Sequence, residues 1–455
     1  MRVFIKTLGC KVNAFDAQVL HKQFADQGFE VLDAHTHADV TVINTCSVTQ
    51  QAEKEALYLL RRYQRENPAA LRVVTGCYAQ IASDALSQRD EIDCVIPNEQ
   101  KAQVVSTVME RLAARSSGEA PPAVPATKNL ATTPTHQQFK SSLVYFDRPQ
   151  ASQTRAFVKI QDGCNGFCTY CQIPYARGAS RSVPLDQAVQ QIVDLADSGV
   201  PEIVLTGIHI GDYGQDLTDA PTTLAALIEH VFQRTALPRL RISSLEPSEV
   251  SVALLDVLDR YRDRVCDHFH LPLQSGDDAV LKRMRRTYTT AEYRATVQRL
   301  RTLFPQAQIS ADIIPGFPGE TEDQFAATAS FIESCGIHNL HVFPYSSRPN
   351  TFAARMPDHL PQGVVNARAK VLRELAARLY ENFCRTQYEK PHQVLWESTV
   401  DEGGYRQGKT RNYLSVAAKD HEFLTPVGAE TPVILKGFLR HQLLLASPIF
   451  VGPLA

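Results

Sequence analysis

Three cysteines stand close together in the stretch DGCNGFCTYCQIP: Cys164, Cys168 and Cys171, at spacing C-x3-C-x2-C. No fourth follows nearby. Ferredoxin runs and paired C-x2-C zinc sites complete their ligand sets with protein thiolates, and this spacing fits neither. Three thiolates on a four-iron cluster leave one iron open, and open coordination marks catalytic rather than structural centres. A second set is spread more widely. Cys10 follows VFIKTLG, Cys46 follows DVTVINT, and Cys77 follows LRVVTG. Each ends a short β-branched run, so three soft ligands converge on one rim if those runs are neighbouring parallel strands. In a cytosolic protein such a set suits an iron–sulfur cluster or zinc.

These positions require particular elements beneath them. Residues 1–113 alternate strand-like runs with helical stretches such as AEKEALYLLRRYQREN, which predicts a doubly wound parallel sheet. In open α/β sheets the carboxyl ends of the strands are where ligand sites form. Residues 114–150 turn rich in Pro, Ser, Thr and Ala and read as a linker. From 151 to 387 six strand candidates recur with helices between them: AFVKIQDG, EIVLTGIH, LRISSLEP, HFHLPLQS, QISADIIPG and HNLHVFPYS. This order predicts a partial (β/α)6 barrel, with chemistry at the C-terminal strand ends. Its first helix puts Leu185, Ala188, Val189, Ile192 and Leu195 on one face and stops at Gly199. A long helix over about 362–387 closes it. Residues 388–455 hold four strand-like runs without a clear helix and predict a small all-β barrel.

Composition narrows the class. The 455 residues are 44% hydrophobic and 21% charged, and 47 basic residues balance 49 acidic ones. Whole-chain charge therefore points to no nucleic-acid partner, and a basic footprint must be local. No apolar run reaches the length of a membrane span and the N-terminus lacks a signal peptide pattern, so the expectation is a cytoplasmic protein without membrane contact. Ten cysteines in such a chain argue against a disulfide framework. Cys94, Cys266, Cys335 and Cys384 read as small core residues.

The motif C-x3-C-x2-C after the first strand of a partial barrel, with Tyr170 in its last gap, resembles the radical S-adenosylmethionine (SAM) superfamily. There the open iron of a [4Fe-4S] cluster is chelated by SAM. The resemblance implies cofactor contacts at Tyr170, at Thr206 and Gly207 of LTGIH, at Glu246, Gln274 and Asp312, and at Gly316 of IIPGFPGE. Together with the three-cysteine domain and a terminal barrel of the TRAM (OB-like) type, nearly the whole chain is similar to the methylthiotransferases. LGCKVN, VINTCSVT, TGCYAQ, LTGIHIGDYG and LKRMRRTYT resemble the subgroup that acts on threonylcarbamoyladenosine 37 of tRNA. Phe15 and Asp16 depart from that subgroup's usual Tyr-Glu, at positions that touch no ligand.

The resemblance implies two [4Fe-4S] clusters, one on Cys164, Cys168 and Cys171 and one on Cys10, Cys46 and Cys77. It also implies two SAM molecules, a tRNA anticodon stem-loop as partner and an electron donor such as flavodoxin or ferredoxin. A radical from the first SAM would attack C2, sulfur would come from the second cluster, and a second SAM would give the methyl group. No side chain is implied as acid, base or nucleophile, because C2–H offers no acidic handle and the cofactors carry the chemistry. Isopentenyladenosine 37, or a ribosomal protein, is the alternative substrate for the same chemistry. A non-catalytic iron–sulfur or zinc RNA-binding protein is the alternative class. This logic requires both cysteine rims to face one cavity.

Two basic stretches remain. KRMRR (282–286) lies just beyond a barrel strand end and reads as a contact to substrate phosphate or to the SAM carboxylate. RRYQR (61–65) reads as an exposed helix face. In the terminal module YRQGKTRNY (405–413) is the best candidate RNA contact, although seven basic and seven acidic residues balance there. His209, His268, His270 and His341 read as packing or polar lining.

Overall fold

The computed structural model describes residues 1–118, 154–420, 428–440 and 442–449. Most of the expected linker lies outside them. Two compact units are present among the described residues. One holds residues 1–118, 161–183 and 346–355; the other holds residues 154–160, 184–345 and 356–449.

In the first unit five strands form a parallel sheet: β1 (Arg2–Thr7), β2 (Glu30–Leu32), β3 (Val40–Thr45), β4 (Leu71–Gly76) and β5 (Cys94–Pro97), in the order β2-β1-β3-β4-β5. Every residue of β3 and β4 is buried. That is the pattern of strands covered by helices on both faces, and it explains their unbroken VTVIN and LRVV runs. One face packs against the helices Lys11–Asp26 and Val104–Ser117, through Leu20, Phe24 and Val108. The other packs against the helix Gln50–Glu66 through Ala56, Leu60 and Tyr63. RRYQR lies on that last helix, with Tyr63 buried and its arginines outward. The edge strand β2 is three residues long and carries too little pattern to be read from sequence.

The second unit begins with β6 (Arg155–Lys159). After it, β7 (Gln161–Asp162) and β8 (Arg181–Ser182) pair antiparallel within the first unit and close the base of the C-x3-C-x2-C loop. The remaining barrel strands are β9 (Glu202–Thr206), β10 (Arg239–Ile242), β11 (His268–His270), β12 (Gln308–Ile313) and β13 (Asn339–Val342). All six expected strands are present. They form two parallel sheets, β10-β9-β6 and β11-β12-β13, joined by bridges from Leu240 to Val265 and from Ser244 to His270. The result is the partial (β/α)6 barrel. The helix Leu185–Asp197 buries Ala188, Val189, Ile192 and Leu195, as its spacing requires. The helix Gln362–Thr386 packs beside β13.

The terminal module is a closed barrel of β14 (Pro391–Val400), β15 (Tyr405–Thr410), β16 (Ser415–Lys419), β17 (Glu430–Arg440) and β18 (Leu443–Pro448), in the order β14-β15-β16-β18-β17. Trp396, Leu414, Val433 and Leu444 fill it. Closure removes the free edges that five short strands would otherwise expose. The strand β15 falls on the stretch expected as a nucleic-acid contact, and its far end is spent internally. Arg411 binds Glu430 and the carbonyl of Asp263, Tyr413 stacks on His268, and Lys409 donates to Ser415 Oγ at 2.6 Å. At the N-terminal ends of the strands, Glu202 accepts from Arg155, Arg239 and Arg241 at 2.6, 2.7 and 2.8 Å. Arg239 and Arg241 also donate to the carbonyls of Thr410 and Arg411. This buried cluster joins the small barrel to the strands. No helix among the described residues is long and apolar enough to cross a membrane.

Candidate metal centres and cofactor site

Cys10, Cys46 and Cys77 lie just beyond the carboxyl ends of β1, β3 and β4, three adjacent strands. Cys10 caps the helix Lys11–Asp26 and Cys77 begins the helix Cys77–Ile81. Two glycines with left-handed backbone make the convergence possible. A Cβ on Gly9 (φ +96°) would lie 2.6 Å from Cys46 Sγ, and one on Gly76 (φ +100°) would lie 2.3 Å from the Thr45 carbonyl. Only glycine fits either position without moving the rim. Asn13 donates to the carbonyls of Leu8 and Thr45, at 2.8 and 2.9 Å, and so fastens the loop after β1 to the loop after β3.

Burial, and next the neighbouring Cys77, push the Cys46 thiol up to about 12. Cys10 keeps an open face to solvent, but its sulfur lies deep among surrounding atoms. Burial raises it against the opposing charge of Arg177. Three thiols at the ends of three adjacent strands offer a metal centre the ligands whose charge it would compensate. The donor set fits an iron–sulfur cluster held by three thiolates.

The second set sits on the loop closed by β7 and β8. Gly163 (φ +74°) starts it where a Cβ would strike the carbonyl of Ala179 at 2.0 Å. The Cys164 amide donates to the Gly178 carbonyl at 3.1 Å. Amides of Gly166 and Ile173 donate to the sulfurs of Cys164 and Cys171, at 3.3 and 3.4 Å. A Cβ on Gly166 would lie 3.4 Å from Cys164 Sγ and 4.0 Å from Cys168 Sγ, so both sulfurs close around that glycine. Donors aimed at sulfur favour thiolate and tune a cluster's potential. The set fits a cluster as the first one does.

Both sets belong to the first compact unit, and specific residues tie them. Asn98 Nδ2 donates to Cys77 Sγ at 3.5 Å and to the carbonyl of Ala176 at 3.0 Å. Buried Arg177 binds Asp162 at the base of the second loop through two contacts of 3.0 and 3.1 Å. Its other nitrogen donates to Asn13 Oδ1 at 2.6 Å and to Asp16 Oδ2 at 3.0 Å, and Asp16 also accepts from Lys101 at 2.8 Å. Arg348 reaches Glu53 and the carbonyl of Ser47, next to Cys46. None of these tying residues was legible as a site residue. Asp16, one of the two departures noted in the sequence, anchors the arginine between the two sets.

The other expected cofactor residues lie at barrel strand ends, Tyr170 excepted, which is on the cysteine loop. Thr206 ends β9 with Gly207 after it, and the Thr206 carbonyl accepts from Ile160 at 2.9 Å. Gln274 adopts a left-handed backbone (φ +66°) beyond β11, with its amide on the Asp312 carbonyl at 2.8 Å. Such strain in a non-glycine residue concentrates at functional sites. Asp312, near the end of β12, faces His270 at 3.2 Å and His341 at 3.4 Å. Burial works to raise its carboxyl, but His270 and then His341 outweigh that and hold it well below the usual range. His270 is backed by Ser310 and Ser310 by His268, at 2.9 and 3.2 Å, so the histidines form a polar column. His209 lies between Asp212 and Glu249, one carboxylate on each ring nitrogen. Glu246 is engaged by Arg286 and by its capping box with Glu249. The Gly316 amide donates to Glu320 at 2.7 Å, and Val365 fills the space a Cβ would need.

Comparison with known proteins agrees with this architecture. The model described as "Radical SAM superfamily" matches residues 158–332, and that described as "Uncharacterized protein family UPF0004" matches residues 2–97. The chain is 35% identical to the threonylcarbamoyladenosine tRNA methylthiotransferase MtaB of Bacillus subtilis (strain 168), over 96% of this chain and 94% of the relative. It is 36% identical to the MtaB of Rickettsia prowazekii (strain Madrid E), over 82% of each. It is 33% identical to the tRNA-2-methylthio-N(6)-dimethylallyladenosine synthase of Bordetella parapertussis, over 82% of this chain and 77% of the relative. Among solved structures, the radical SAM methyltransferase TsrM of Kitasatospora setae, with cobalamin and a [4Fe-4S] cluster bound, shares the fold. Its TM-score is 0.53 at 16% identity, covering 76% of each chain.

Proposed function

The chain belongs to the radical SAM tRNA methylthiotransferases, and from that premise we propose that it methylthiolates C2 of N6-threonylcarbamoyladenosine at position 37 of tRNA. It is an enzyme that works with S-adenosylmethionine and [4Fe-4S] clusters. We assign one cluster to Cys164, Cys168 and Cys171 and the other to Cys10, Cys46 and Cys77. The observation that carries this reading is that two incomplete thiolate sets lie in one compact unit and are tied through Asn98 and Arg177. Bound there, the clusters and SAM supply the electron, the sulfur and the methyl group that turn a C–H bond into a C–S–CH3 bond.

The chain's own residues hold and tune these groups. Gly9 and Gly166 leave room beside the sulfurs, and the amides of Val48, Gly166 and Ile173 donate to the sulfurs of Cys46, Cys164 and Cys171. Thr206, Gly207, Gln274 and Asp312 are assigned to SAM contacts from the strand ends, and Tyr170 from the cysteine loop. Glu246 and Gly316 shape the wall around them through Arg286 and Val365. The reductant is an electron donor of the flavodoxin or ferredoxin type, the tRNA surface is the anticodon stem-loop, and the compartment is the cytoplasm. The functional division is 1–113, 151–387 and 388–455, with 114–150 as linker.

The test is a reaction of the anaerobically reconstituted protein with SAM, reductant and tRNA bearing either modified adenosine, read by nucleoside mass spectrometry. Methylthio product on the threonylcarbamoyl form alone supports the reading. Product on the isopentenyl form alone would overturn the substrate and keep the chemistry.

A further inference from the structure

Three neighbouring strands of the first unit, β1, β3 and β4, each carry a cysteine just beyond their carboxyl ends. A fourth strand, β5, lies next to β4, with Pro97 paired to Gly76. Cys77 follows Gly76 and Asn98 follows Pro97, so the register sets these two side by side on the rim. The fourth place on the rim is an amide, where a cysteine would complete the ligand set. Asn98 is buried at the start of the short helical turn Asn98–Gln103, and Gln80 Oε1 fixes that turn by accepting from the Glu99 amide at 3.0 Å.

The side chain of Asn98 is fully used as a donor. One Nδ2 proton goes to Cys77 Sγ at 3.5 Å and the other to the Ala176 carbonyl at 3.0 Å. A carbonyl only accepts, so the nitrogen and not the oxygen of the amide stands on that side. Oδ1 is buried and accepts no hydrogen bond among the described residues. An orphaned buried acceptor costs free energy that a leucine of similar size would avoid. Fastening the two loops takes only the proton on Ala176; the other is directed at a ligand sulfur. The donors to Cys46, Cys164 and Cys171 are backbone amides two residues further along the same loop. The donor to Cys77 is a side chain from a different strand.

We propose that Asn98 sets the reduction potential of the cluster on Cys10, Cys46 and Cys77, raising it through the hydrogen bond to the Cys77 sulfur. The inference rests on the cluster assignment made under the proposed function. A donor at a ligand sulfur stabilises the added negative charge of the reduced cluster more than it stabilises the oxidised one, so removing it lowers the potential. A neutral amide does this without a fourth thiolate, whose charge would act in the opposite direction and would close the open iron.

The experiment uses the full-length chain with Cys164, Cys168 and Cys171 changed to alanine, so that the reconstituted protein carries one cluster. It is compared with the same chain bearing Asn98→Leu or Asn98→Asp. The midpoint potential is read by EPR-monitored redox titration, with iron content and Tm alongside. Both substitutions are expected to keep about four irons per chain. Asn98→Leu is expected to lower the potential by roughly tenfold in the reduction equilibrium, about 59 mV for one electron, and Asn98→Asp by more. In the complementary chain, with Cys10, Cys46 and Cys77 as alanine, Asn98→Leu should leave the potential of the remaining cluster unchanged. An unchanged potential with iron retained overturns the proposal. An equal shift of both clusters also overturns it, and marks a general loosening of the unit. A further measurement needs no change at Asn98. With the asparagine side-chain amide labelled with nitrogen-15, pulsed EPR of the reduced one-cluster protein is expected to show nitrogen coupling. Its absence overturns the proposal even where the variants lose iron. A one-cluster protein that binds no iron overturns the cluster assignment and this inference with it.

Discussion

Arg177 and Asp16 lie 3.0 Å apart in a buried position and join the loop of the second cysteine set to the helix that Cys10 caps. Both side chains are nearly inaccessible, at 3% and 4% exposure, so their charges meet little water. Removing one partner from such a pair leaves the other charge buried without compensation. Arg177→Met is expected to destabilise the protein by about 3–5 kcal/mol, measured by denaturant unfolding. Arg177→Met combined with Asp16→Asn should cost less than the sum of the two single changes. An additive result would mean that the two residues act independently.

Iron content tests the two thiolate sets separately. Cys164→Ala and Cys10→Ala are each expected to lower bound iron from about eight to about four per chain, and the double variant to near zero, as four-iron clusters require. Cys94→Ser and Cys335→Ser, buried in the core, should leave iron unchanged. Iron loss in those core variants, or none in Cys10→Ala, would show the sets wrongly drawn.

His338 predicts a specific acid sensitivity. Burial, and next the charge of Arg301, lower its imidazole to about 4, and its Nδ1 accepts from the Ile309 amide at 3.1 Å. The unfolded chain therefore binds a proton between about pH 6.5 and 4 that the folded protein refuses. Stability should be complete above pH 6.5 and fall by up to about 3 kcal/mol as pH drops toward 4. His338→Asn keeps an acceptor for Ile309 and should flatten that part of the curve. An unchanged slope in the variant would remove His338 as the cause.

Glu202 carries the junction between the small barrel and the strands. Burial works to raise its carboxyl, but Arg241 and then Arg239 outweigh that and hold it well below the usual range. Glu202→Gln leaves several guanidinium groups short of a counter-charge and should cost about 3–5 kcal/mol. Limited proteolysis should then release the C-terminal barrel sooner than in wild type. Equal cleavage rates would show that Glu202 does not carry the junction.

Much of this architecture is written in short-range pattern. The runs VTVIN and LRVV predict buried parallel strands because burial on both faces leaves no polar alternation, and β3 and β4 are such strands. Periodicity likewise predicts the helix over 185–197. What escapes is what depends on distant partners. The stretch 405–413 reads as polar, aromatic and basic because Arg406, Lys409 and Arg411 find partners at Asp420, Ser415 and Glu430 only in the folded chain. The strand β2 is too short to carry a period. In the site, the six cysteines are legible because thiol spacing has few other uses. Arg177, Asn98 and Asp16 are ordinary residues until folding brings them together, so the ties between the two sets leave no local trace. The His270–Asp312–His341 group is similarly assembled from three strands.

The central claim is that the two thiolate sets do different jobs in one enzyme, and one measurement tests it most directly. Cys10, Cys46 and Cys77 are all changed to alanine, and the reconstituted protein is given SAM, reductant and tRNA bearing threonylcarbamoyladenosine. Both 5′-deoxyadenosine and the modified nucleosides are then quantified by mass spectrometry. The account predicts continued formation of 5′-deoxyadenosine with no methylthio nucleoside. Methylthio product from this variant at the wild-type rate would contradict it.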